Sequence, residues 1–146
     1  MAISELHAEL RSWLELTTRV VQRTGNEINV GERFTVRFTV TNRAPRRTSP
    51  EVPDVAFEEL QIGIGRTAYA APVNGPGWHP LPVKQLEPAE SASVEVEFEA
   101  IGTLNFFSDW LNDELIARPM ISANVDYKRL FNIRKVEAVH VEIDGR

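Results

Sequence analysis

Residues 33–41 read RFTVRFTVT, and the fold turns on this stretch. Phe34, Val36, Phe38 and Val40 fall at every second position, with Arg33, Thr35, Arg37 and Thr39 between them. Side chains alternate between the faces of a strand, so this order makes one apolar and one polar face. A helix would scatter the same residues around its circumference. Gly31 and Glu32 supply a turn before the strand, and residues 42–53, with three prolines and three arginines, supply a loop after it.

The alternation recurs on both sides. Leu14, Leu16, Thr18 and Val20 alternate with Glu15, Thr17 and Arg19, and further strands are predicted at 60–70 (LQIGIGRTAYA), 80–86 (PLPVKQL, interrupted by Pro82), 93–100, 120–127 and 136–143. Upstream, Ile3, Leu6, Leu10 and Trp13 or Leu14 recur at helical spacing behind Ser4 as N-cap, which predicts an amphipathic helix over residues 1–13. The expected fold is all-β: an Ig-like antiparallel β-sandwich of about seven strands over residues 14–146, preceded by that short helix. A second short helix is expected before the sixth strand, where Ser108 caps, Asp109 sits near the positive end, and Trp110, Leu111 and Leu115 cover one end of the sandwich.

With 146 residues, 42% hydrophobic and 25% charged, the chain is one soluble domain able to bury a core. A net charge of -5 and a pI near 5.3 argue against nucleic acid or an anionic membrane as partner. The absence of cysteine excludes disulfides, thiolate nucleophiles and thiolate metal sites. No run is long enough for a membrane span. The N-terminus, MAISELHAELRSWLEL, lacks the basic and continuous apolar regions of a secretory signal. The chain is therefore cytoplasmic or a mature or partial form of an exported protein, and localisation stays open.

Three stretches carry a resemblance. INVGERFTVRFTVTN, then LEPAESASVEVEF, then ISANVD resemble the Ig-like modules called CARDB, the cell-adhesion-related domain in bacteria. Those modules carry "vGe" before an alternating strand ending in "tN", an "l-x-pGe" turn before the next long strand, and "a-x-vD" late in the chain. The resemblance covers roughly residues 28–143 and implies a bacterial binding or spacer role, usually outside the cell and within a longer protein. Ala89 stands where the family usually has glycine, and the connection 102–119 is longer than a simple sandwich loop.

Residues that could carry chemistry are few. His7, His79 and His140 have no spacing that brings two to one face, and there is no HExxH, GxSxG, Walker loop or GxGxxG followed by a helix. No enzyme and no cofactor are expected. SDWLNDE (108–114) gathers Asp109, Asp113 and Glu114 but lacks a DxDxDG loop, so no metal is expected either. The basic run YKRLFNIRK (127–135) reads as a solvated turn. In APVNGPGWHPLP (71–82), Trp78 and His79 form either a lid folded back on the core or a binding loop.

The outer faces of the two sheets differ. Arg33 and Arg37 can meet Glu95, Glu97 and Glu99 if their strands are neighbours, which would give one solvated, ion-paired face. On the other sheet, inward Leu60, Ile62 and Ile64 leave Gly63 and Gly65 outside, beside Ser122, Asn124, Val136 and Ala138. Glycine at period 2 weakens a strand and admits close approach to the backbone, so this face is expected to be covered by the N-terminal helix or by a second copy. The alternative is a bulge. The expected function is a non-catalytic binding or assembly module making protein–protein contacts through Gly63, Gly65, Ser122, Asn124, Val136, Ala138, Trp78 and His79, with a protein partner or itself. The alternatives are a structural subunit of a larger particle or secretion machine and a ligand-binding accessory domain of an enzyme.

Overall fold

The computed structural model describes residues 12–22, 27–45, 55–102, 104–105, 119–125 and 139–142. The alternating segments form two antiparallel sheets. The first orders β1 (Leu14–Gln22), β3 (Arg33–Asn42), β8 (Ser91–Ala100) and β5 (Ala70–Pro72) as β1-β3-β8-β5. The second orders β11 (Val139–Glu142), β10 (Met120–Val125), β4 (Phe57–Ile64) and β6 (Gly77–Pro80) as β11-β10-β4-β6, with β7 (Gln85–Leu86) also pairing β4. A small ladder joins β2 (Glu27–Ile28) to β9 (Leu104–Asn105). The expected all-β sandwich is thus present, with short strands added to the long ones. Among the described residues no helix is long and apolar enough to cross a membrane, which says nothing of membrane β-barrels.

The core lies between the apolar faces. Phe34, Val36, Phe38 and Val40 of β3 and Val96 and Phe98 of β8 are buried in one cluster with Phe57, Leu60, Ile62 and Ile64 of β4 and Ile121, Ala123 and Val125 of β10. Phe98 stacks on Phe34 at 5.8 Å and tilts against Phe38 at 6.2 Å. Each such ring contributes about 1.5–3 kcal/mol by burial and the pairing adds about 0.5–1.5 kcal/mol.

β3 and β8 are neighbours, so the charges meet: Arg37 pairs with Glu95 at 3.2 Å and Arg33 reaches Glu97 at 3.4 Å. Hydroxyl bonds continue the ladder from Thr39 to Ser93 at 2.8 Å and from Thr41 to Ser91 at 2.7 Å. The first sheet's outer face is therefore polar, with cross-strand pairs of its own side chains along β3 and β8.

The end of β3 carries a buried polar junction. Asn42 is 0% exposed; its amide donates to Val55 O at 2.9 Å and Leu86 O at 3.0 Å, and its Oδ1 accepts from Ala44 N–H at 2.9 Å. Asn42 also donates its backbone N–H to Glu90 O and accepts from Ala89 N–H. That neighbouring turn, Glu87–Pro88–Ala89–Glu90, closes with a bond from Glu90 N–H to Glu87 O, and Ala89 holds φ 70°. Proline second and positive φ third define a type II turn, whose third position favours glycine.

Two expected strands are divided. The strand predicted at 60–70 begins at Phe57 and ends at Ile64, and the chain then crosses to the first sheet, where Ala70–Pro72 pairs with β8. Thr67 makes the break, its hydroxyl accepting from the N–H groups of Tyr69 and Ala70. The strand predicted at 80–86 is likewise the end of β6 and then β7, because the chain leaves β4 around Pro82, which has no N–H to donate. The helices expected over 1–13 and 108–115 fall on residues outside the described set, apart from Ser12 and Trp13. The basic run at 127–135 lies outside it as well.

Candidate functional site

On the second sheet, alternation turns Leu60, Ile62, Ile121 and Ala123 inward and sends Gln61, Gly63, Met120, Ser122 and Asn124 to the outer face. Antiparallel register lines up Met120, Gly63 and Trp78 in one row across β10, β4 and β6, and Ser122, Gln61 and Pro80 in the next. Trp78 is 46% exposed and Met120 37%.

Gly63 explains how the tryptophan sits. A Cβ at Gly63 would meet Cζ3, Cη2 and Cε3 of Trp78 at 2.8, 2.9 and 3.1 Å. Near-equal distances to three adjacent ring atoms put that point over the face of the six-membered ring, since an edge-on approach would leave the flanking atoms much farther away than the nearest. The indole therefore lies flat over the strand, where the missing side chain makes room, with about half of the residue exposed.

Several expectations change accordingly. What lies on Gly63 is Trp78 from the adjacent strand, whereas the N-terminal helix expected there lies outside the described residues. Trp78 is a strand residue on the outer face, not a lid on the core, because β6 pairs with β4 and aligns it with Gly63. Gly65 lies beyond the end of β4 and is not part of the sheet face. The sheet's bulge is elsewhere: register slips between Ser122 and Asn124, opposite Glu59, which holds φ 52°. Ser122 and Asn124 do share the face with Gly63. His79 is half-buried and pairs with Ile62, which alternation assigns to the side opposite Trp78. Val136 and Ala138 fall outside the described residues.

The bulge sets a polar end to the face. Glu59 is exposed and accepts a hydrogen bond from the Asn124 side-chain amide, while Asn124 Oδ1 is buried without a partner among the described residues. Beside it, where the chain leaves β4 between β6 and β7, an open cleft of about 590 Å³ is walled by Glu58, Glu59 and Gln61 on one side and Leu81, Val83 and Lys84 on the other. Sequence reasoning missed Met120, Gln61 and Glu59. Met120 was readable, since it shares the alternation of Ser122 and Asn124; the bulge at a glutamate carries no comparable signal.

Among the described residues, no group of three or more histidines, cysteines, aspartates and glutamates is arranged to hold a metal ion. No protein-family model matches the chain, and no curated protein matches it.

Proposed function

We propose that this domain is a non-catalytic binding or assembly module that makes protein–protein contacts through the outer face of its second sheet. The observation that carries this is the row Met120–Gly63–Trp78, in which two exposed apolar side chains, Met120 and the flat-lying indole, flank the glycine on an otherwise polar face. Tryptophan is enriched among the few residues that dominate binding energy at interfaces, and a fixed ring loses little entropy on docking. On the first sheet's outer face, by contrast, two arginine–glutamate pairs join β3 to β8. The CARDB-like pattern of turns and strands supports a binding or spacer role and belongs to the same reading.

The cleft beside Glu59 favours a second reading, a ligand-binding accessory domain, since about 590 Å³ lies in the range of small-molecule sites. One comparison separates the two. The full chain, its W78A/M120E variant and a control, Arg19→Glu on exposed β1, are used as baits and compared by quantitative capture and solution mass. Loss of a protein partner or of self-association in the double variant alone supports the docking face. Equal capture by all three overturns it.

A further inference from the structure

β1 (Leu14–Gln22) ends the first sheet: among the described residues it pairs on one side only, with β3. Its backbone parity is fixed. Arg43 N–H donates to Trp13 O, while Asn42 turns its own N–H and C=O to Glu90 and Ala89 on the far side, so Leu14 and Asn42 face each other without bonding. By alternation, Glu15, Thr17 and Arg19 turn their backbone groups toward β3, and those of Leu14, Leu16, Thr18 and Val20 point out from the edge. The regular stretch stops at Val20, where the register slips before Gln22. Residues 14–20, centred on Thr17, contain no proline and no charge on the inner face, so the edge carries few of the usual guards against pairing. On the outer face Arg19 lies opposite Arg37, whose own partner is Glu95; the Arg19 side chain is exposed and forms no ion pair among the described residues. Glu15 bonds Arg43 through Oε2, and a carboxylate has a second oxygen for another cation.

We infer that this edge pairs with the same edge of a second copy of the chain, antiparallel about a two-fold axis at Thr17. That register sets Leu14 against Val20 of the second copy and Leu16 against Thr18 of the second copy, the positions whose outward backbone groups can exchange hydrogen bonds. It puts Glu15 opposite Arg19 of the second copy in the non-bonded position between them, where side chains approach most closely. Symmetry makes that contact twice. The pairing asks nothing of the Thr18 side chain, which shares the inner face with Leu16. Other registers do worse. An axis at Leu16 or Thr18 keeps the backbone bonds but takes Glu15 away from Arg19, and an axis at Glu15 or Arg19 sets like charges face to face. An axis between residues turns outward groups against groups already bonded to β3. The product is one sheet running through both copies, joined β1 to β1. So short a contact lies at the small end of specific interfaces, and the dimer is expected to be weak, with Kd on the order of 100 µM.

The outer face of the second sheet does not enter this inference, so either can fail alone. Sedimentation of the full chain from about 10 µM to about 1 mM is expected to show monomer passing to dimer. Glu15→Arg and Arg19→Glu each set like charges at both symmetric contacts and should weaken the dimer roughly ten- to thirtyfold; combined, they restore opposite charges and should recover most of the loss. Recovery in the combined variant excludes misfolding as the cause. Amide exchange gives a second readout. In dilute solution the Leu16 and Val20 amides should exchange fast and those of Thr17 and Arg19 slowly, and the first two should slow several-fold as the dimer forms. A chain still monomeric at about 1 mM overturns the inference, as does a dimer that neither charge reversal weakens. So do Leu16 and Val20 amides protected at every dilution, which would mean that the chain covers its own edge. Arg19→Glu, the control for capture by the second sheet, separates the two surfaces by solution mass. A dimer lost in Arg19→Glu and kept in W78A/M120E supports the edge; the reverse assigns self-association to the second sheet and overturns the pairing of β1.

Discussion

Asn42 offers the sharpest test of how the sandwich is held together. Its side chain joins the end of β3 in the first sheet to Val55 and Leu86, which flank and pair with β4 in the second. Asn42→Ala leaves two carbonyl oxygens and the Ala44 N–H without their partner in a site that is 0% exposed. Each unsatisfied buried group costs about 1–3 kcal/mol, so with modest relief from an entering water the expected loss is about 3–5 kcal/mol. That is a large share of the about 5–15 kcal/mol typical of a domain. Urea unfolding at 25 °C is the assay. With m of about 2 kcal/mol/M, the midpoint should fall by roughly 2 M with m unchanged. Asn42→Asp adds a sign. Burial against two carbonyl oxygens raises the folded pKa of the new carboxyl above its unfolded value of about 3.9, so its deficit relative to wild type should be smallest below that pH and grow as pH rises. An Asn42→Ala loss under about 1 kcal/mol would refute the reasoning, because it would mean these backbone groups are already satisfied by other partners.

Four further outcomes are expected. Ala89→Gly should raise the melting temperature by roughly 1–4 °C in calorimetry, because relief of about 1–2 kcal/mol at positive φ exceeds the added unfolded-state entropy of glycine; an unchanged or lower value would contradict the turn assignment. Gly63→Ala should cost about 1 kcal/mol and lift the indole, visible as a shifted Trp78 indole N–H resonance while the other tryptophans stay put. Phe98→Ala should cost about 3–5 kcal/mol in denaturant unfolding, since the ring is fully buried between Phe34 and Phe38. Arg37→Ala should cost under about 1 kcal/mol in the same assay, since its pair with Glu95 is half open to water.

Long alternation made much of the fold legible. RFTVRFTVT and SVEVEFEA each declare both faces over many residues, and the opposite charges expected to meet if the two strands were neighbours do meet. The changes of sheet were hidden because they depend on contacts, not on pattern. The apolar alternation of LQIGIG runs on into RTAYA, and only the Thr67 hydroxyl, bonded to Tyr69 and Ala70, marks where the strand breaks. At the candidate site, the glycine signal correctly announced a close approach, but the approaching group could not be read. Trp78 reaches Gly63 through the register of β4 against β6, which the sequence does not state. The positive φ of Glu59 was equally silent, since nothing about a glutamate announces a bulge.

The order of the first sheet bears on how the chain reaches this structure. β3 and β8 lie side by side although Arg37 and Glu95 are 58 residues apart, and the chain between them visits the second sheet as β4, returns briefly as β5, and leaves again as β6 and β7. No adjacent hairpin can seed the β3–β8 pair; a long loop has to close before its contacts compensate the lost entropy. Folding is therefore expected on the slow side for a small domain, in milliseconds to about seconds. The crossings also interlock the sheets: separating them pulls β5 off β8 in the same motion that strips β6 from β4, so unfolding should proceed as one cooperative event and not sheet by sheet.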